Sequence, residues 1–235
     1  MINEKTREIL KVLNNITDSV VIRTPKITVS DEFKQIICSV DLEKLGENIE
    51  EPIGIAYLSQ FLNVLNLFEE PDIQRDENTL IITEKESNFK KKIKYLTSNI
   101  DIIEEPDYKI IESTKKVNTI LSFTLNQEIL ESIKKTSSVL KDFNAIHFKY
   151  KRGEGLDISL IVNETFNAAF NEFNINIPDS ELDAQKDFEV KVPLESFLKI
   201  PELEYDLEVK YNEKKDAYRI YLNKSIFEVV MSTIV

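Results

Sequence analysis

The residue types that most often carry nucleophilic and acid–base chemistry occur once each: Cys38 and His147. Cys38 lies inside the apolar run QIICSV at 35–40, where a thiol reads as a small core hydrophobe rather than a nucleophile. A single Cys permits neither an internal disulfide nor a multi-cysteine metal site, and fits a reducing compartment. His147 lies in AIHFKYK at 145–151, where alternation groups it with Ala145 and Lys149. A structural or surface imidazole outweighs a general base there, and one His excludes a His-rich zinc site. The adjacent carboxylates Glu50-Glu51, Glu69-Glu70 and Glu104-Glu105 mark solvated loops. Asp179, Glu181, Asp183 and Asp187 form an acidic loop, better read as solvated than as a weak cation site. Neither GxxxxGK[ST] nor GxGxxG occurs, so a phosphate cradle is unsupported. These residues form no catalytic constellation, and the expectation is a protein that is not an enzyme and uses no cofactor and no metal.

The elements follow from periodicity. Residues 3–15 predict a helix: Ile2, Thr6, Ile9, Leu10, Leu13 and Ile16 share one face, and Asn3 is the N-cap. Strand-like runs follow at 19–23, 26–30, 35–40 and 52–56, then a helix YLSQFLNVLNLF at 57–68 and strands at 79–84 and 89–96. The order recurs in the second half. A strand at 119–125 precedes a helix at 126–141 with Ile129, Ile133 and Leu140 on its apolar side. Strands at 145–151 and 156–162 flank a hairpin turn, Arg152-Gly153-Glu154-Gly155, where Gly supplies positive φ. FEVKV at 188–192 leads into the helix PLESFLKI at 193–200, with Pro193 in its first turn, and three more strands close the chain.

This is an internal repeat. Leu58-x-x-Phe61-Leu62 matches Leu194-x-x-Phe197-Leu198, offset by 136 residues. The pattern predicts an α+β fold of two copies of one domain, each with antiparallel sheets and two helices: 1–102 and 118–235, joined by an extended connector at 103–117.

Thirty Lys and Arg against 42 Asp and Glu give a net charge of −12, the wrong sign for gripping nucleic acid over the whole surface. The cations are therefore placed by face. The first helix exposes Arg7, Lys11, Glu4 and Asn14; the third exposes Gln127, Lys134, Lys135, Ser138 and Lys141, with Glu131 its only acid. The second exposes the neutral Ser59, Gln60, Asn63 and Asn66, and the fourth exposes Glu195, Ser196 and Lys199. The opening MINEKTREIL lacks the order of a secretory signal, and no apolar run approaches the ~18 residues of a membrane span. A soluble, intracellular (cytoplasmic) protein with no membrane partner is expected.

The helix-opened repeat, two helices per half, the Leu-x-x-Phe-Leu signature beside a strand and the charged connector resemble a DNA sliding clamp, the phage and PCNA type with two domains per protomer. The resemblance implies a viral or phage replication protein. It implies a ring of six domains, hence three chains, with helices lining a central hole and sheets outside. It implies a processivity factor that encircles double-stranded DNA without sequence preference, tethers a DNA polymerase and is opened by a clamp loader. The DNA-facing residues would be Arg7, Lys11, Lys134, Lys135, Lys141 and Lys199. Partner peptides would dock in an outer groove walled by Phe33 in the Asp31–Lys34 turn, Ile110 and Ile111 of the connector, and Val230 and Ile234 of the last strand. The neutral second helix and Glu4, Glu8 and Glu131 leave the expected hole only modestly basic. Two other classes stay open at the level of sequence: an acidic DNA mimic or protein-binding module that forms no ring, and a β-rich hydrolase built on a carboxylate pair.

Overall fold

A computed structural model describes residues 2–84, 91–162 and 171–234. The chain divides into two compact units: Met1–Ser30 with Ser39–Asp107, and Asp31–Cys38 with Tyr108–Val235.

The first unit opens with α1 (Glu4–Leu13). The Asn3 side chain accepts from Thr6 N at 2.8 Å, satisfying one of the N–H groups a helix start leaves unpaired, a cap of about 1 kcal/mol. Ile2, Thr6, Ile9, Leu10, Leu13 and Ile16 are all buried, as the helical spacing requires. Leu10 and Leu13 are fully so, each stabilising by about 1.5–3 kcal/mol. Next come β1 (Val20–Ile22), β2 (Lys26–Ser30), β3 (Ile36–Asp41, whose residues through Cys38 group with the second unit) and β4 (Ile53–Ile55), with β1 antiparallel to β4. β4 leads into α2 (Leu58–Leu65), which buries Leu58, Phe61, Leu62 and Leu65 and exposes Ser59, Gln60, Asn63 and Asn66. A three-stranded antiparallel sheet follows in the order β5 (Pro71–Asp76), β6 (Thr79–Glu84), β7 (Lys92–Leu96). The sequence signal for β5 is masked by Pro71 and its acids. The predicted strand at 89–96 is present from Lys92; Phe89 and Lys90 lie outside the described residues.

The second unit contains α3 (Lys109–Lys115), β8 (Asn118–Leu125), α4 (Gln127–Val139), β9 (Ala145–Lys151), β10 (Gly155–Ile161), β11 (Phe173–Ile177), β12 (Asp183–Ala184), β13 (Phe188–Pro193), α5 (Leu194–Leu198), β14 (Tyr205–Asn212), β15 (Ala217–Lys224) and β16 (Phe227–Ser232). One sheet runs β11-β10-β9-β13, and another contains β12-β8-β14-β15-β16. The β9–β10 turn has Gly153 at φ 83° and Gly155 at φ 94°, the region Gly alone enters freely.

Two expectations need correction here. The stretch 103–117 is not an extended connector throughout: Lys109–Lys115 is helical because Ile111 and Thr114, one turn apart, are both buried. This helix lies before the predicted second domain, 118–235, which among the described residues holds the two expected helices, α4 and α5. On α4 the buried pair is Leu130 and Ile133, with Ile129 and Leu140 only half-buried.

The repeat is visible in the hydrogen bonding. In each unit the strand after the long helix pairs with the strand that leads into the short helix, β1 with β4 and β9 with β13. Neither short helix takes a side-chain cap from its own N-cap residue. In its place Leu58 N donates to Asp18 O at 2.6 Å, and Leu194 N donates to Asn144 O at 3.0 Å. The acceptor in both cases lies just before the strand that follows the long helix, so one backbone bond recurs at one place in the unit.

Candidate nucleic-acid interface

The helical cations differ in how free they are. On α1, Lys11 is 47% exposed with its Nζ 2.7 Å from Glu8, while Arg7 is half-buried and its Nε has no hydrogen-bond partner among the described residues. On α4, Lys135 is 77% exposed and lies 2.8 Å from Glu131. Hydrogen bonding from Lys135 holds the Glu131 carboxyl below its ordinary value, and the same bond raises Lys135, so both stay charged near neutrality. Lys141 is exposed just beyond the helix.

Lys134 departs from its expected exposed position. Its side chain is only 19% exposed, and Nζ donates to Ile200 O at 3.0 Å and lies 3.2 Å from Glu202. Lys199 is half-buried, 3.2 Å from Glu195 and 4.0 Å from Asp31. Ser196, expected on the exposed face of α5, is 1% exposed and donates to Asp31 Oδ2 at 2.9 Å. The buried Asp31 carboxylate also accepts from Gln35 N at 2.7 Å and Ile36 N at 3.0 Å, so it orders the turn it begins. The helices thus carry a sparse set of cations, most already beside an acid.

The residues expected to receive partners separate into two places. Ile111 and Val230 are buried in one core cluster with Ile37 and Tyr221, so neither offers a groove surface; Tyr108 and Ile110 pack on the outside of that cluster. Glu228 ties this region together, accepting from Tyr108 Oη at 2.7 Å and Tyr221 Oη at 3.0 Å and pairing with Lys115. Burial alone would raise the Glu228 carboxyl, but these bonds outweigh it and hold it at about 2. Sequence reading did not find this hub, because its members are up to 120 residues apart. Ile234 is 39% exposed, and its N donates to Lys191 O at 2.9 Å. Phe33 stands apart from the cluster. It is 64% exposed, groups with the second unit rather than the first, and walls a cleft of about 580 Å³ with Phe143, Leu194, Leu198 and Lys141.

The remaining chemistry-bearing residues are structural. Cys38 is fully buried, which pushes its thiol up to about 12. His147 Nε2 lies 2.9 Å from Glu189, and burial lowers the imidazole below its ordinary value despite that acid. In the acidic loop, Asp179 accepts from Tyr150 Oη at 2.6 Å and Asp187 accepts from Arg152 N at 3.1 Å, so both hold turns in place. Among the described residues no His, Cys, Asp and Glu group is placed to hold a metal, and no helix is long and apolar enough to cross a membrane.

Among solved structures, the chain is similar to the Proliferating Cellular Nuclear Antigen of Entamoeba histolytica. The TM-score is 0.65 at 11% identity, over 97% of this chain and 94% of that one. It is similar also to the PCNA2–PCNA3 complex of Sulfolobus tokodaii, at TM-score 0.64 and 15% identity over the same shares. The chain has the PCNA-type clamp fold. No family model matches it, and no curated protein sequence matches it. In this chain the repeated unit is marked by the buried Leu58, Phe61, Leu194 and Phe197 and by the backbone bond that recurs at each short helix.

Proposed function

We propose that the protein is a DNA sliding clamp: three chains close head to tail into a ring around duplex DNA and tether a DNA polymerase. The PCNA-type fold, matched over 97% of the chain, carries this reading. Two strand edges that are unpaired among the described residues support it. β7 lies at the edge of its sheet in the first unit, and β11 lies at the edge of its sheet in the second. An exposed edge invites another strand unless it is protected. β7 ends in Leu96, which is 74% exposed and apolar. Pairing β7 of one chain with β11 of the next repeats around a rotation axis, and a heterologous contact of this kind closes when the rotation allows. One of the similar structures is itself a complex of two PCNA chains.

The mechanism is topological. A closed ring stays on DNA because it encircles it, so Lys11, Lys135 and Lys141 need only a diffuse attraction for phosphates, and a tight grip would oppose sliding. A net charge of −12 is compatible with this. Multi-angle light scattering tests the assembly. Three chains of 27.3 kDa predict about 82 kDa, and a mass near 27 kDa at every concentration contradicts the ring.

A further inference from the structure

We propose an oxyanion site in the second unit, lined by none of the residues assigned to DNA, that takes a phosphate group. A cavity of about 200 Å³ is lined by Ser113, Thr114, Asn212 and the cations Lys210, Lys215 and Arg219. Lys210 and Arg219 are direct cross-strand partners in the β14–β15 pair. Like charges placed opposite one another destabilise a sheet unless something offsets them. Lys210 is offset internally: it is 5% exposed, pairs with Glu208 and donates to Thr119 Oγ1 at 2.7 Å. A register shift between Val209 and Lys210 marks a bulge, a feature that re-aims side chains.

Arg219 and Lys215 are not offset. Among the described residues neither has an acidic partner, and Arg219 makes one neutral bond, from Nη1 to Thr114 Oγ1 at 2.9 Å. The nearby Asp216 is turned elsewhere. It accepts from Tyr211 Oη at 2.8 Å, and Tyr211 faces the side of the sheet opposite Lys210. Asn212 Oδ1 is taken by Lys214 N and Lys215 N, which leaves its NH₂ group as a donor. In a chain of net charge −12, two unneutralised cations and an amide donor thus converge on one small cavity. Donors arriving from two strands and a hairpin suit a tetrahedral dianion, which accepts on several oxygens, and charge-assisted bonds of this kind are the strong ones. The phosphate is either free or carried on a phosphorylated side chain.

Calorimetric titration of the full chain at low ionic strength tests this with two probes, inorganic phosphate and N-acetyl-phosphoserine methylamide. Saturable binding of at least one is expected, and the tighter probe names the source. Lys215→Ala, an exposed hairpin position, is expected to weaken binding about tenfold and Arg219→Gln to abolish it, with circular dichroism checking the fold. Lys214→Ala, next along the same hairpin but outside the cavity, is expected to bind as the native chain does. No saturable binding of either probe, binding unmoved by Lys215→Ala, or an equal loss in Lys214→Ala overturns the site.

Discussion

Glu228 shows how one side chain fixes a segment that sequence reading treated as a tether. Its two oxygens hold Tyr108 and Lys115 at either end of α3 and Tyr221 on the sheet beneath. Glu228→Gln is expected to cost about 1–3 kcal/mol and to raise amide exchange across Lys109–Lys115, measured by denaturant melts and hydrogen exchange. The folded-state carboxyl sits at about 2 against an ordinary 4.5. Its contribution is therefore complete above about pH 4.5 and lost as pH falls toward 2, a dependence the Gln variant should lack. The helical lysines divide at this scale too. Lys134→Glu places an acid beside Ile200 O and Glu202, so a drop in melting temperature is expected. Lys135→Glu with Lys141→Glu should lower melting much less, since only the exposed Lys135–Glu131 pair is lost, and should shorten residence on DNA. Equal melting losses in the two variants would refute the distinction. These differences were not legible in the chain: α4 shows where its lysines point, but not that Ile200, 66 residues later, supplies a carbonyl to one of them.

Elements were legible where a single face carried the signal. Ile2 through Ile16 at helical spacing with Asn3 in front specify α1, and the Leu-x-x-Phe-Leu pair specifies α2 and α5. Elements without such a signature or a clear apolar alternation were not. α3 buries only Ile111 and Thr114, too little periodicity to distinguish from an extended run, and β11 alternates apolar residues with Asn rather than with charge. Ser196 was misplaced for a related reason: the acid that buries it, Asp31, is 165 residues away. The edge strand β7 carries the element-scale prediction. Leu96→Asp changes a residue already 74% exposed, so the fold should survive. The native mass should nevertheless fall from about 82 to about 27 kDa. An unchanged mass would move the contact between chains away from β7.

At the scale of the whole molecule, the proposed clamp function is compatible with the chain's acidity because a ring would hold DNA by encirclement. A chain of net charge −12 that held DNA by surface attraction would lose its grip as salt rises, since such binding falls steeply with ionic strength. A ring threaded on DNA would not. The decisive measurement follows from that difference. The protein is incubated with a linear duplex biotinylated at both ends, streptavidin is added before or after the protein, and the DNA is recovered by gel filtration at high salt. Retention only when the ends are capped after the protein is added is the expected result. Equal retention in both orders, or loss in both despite a mass near 82 kDa, would contradict a clamp that holds DNA by enclosing it.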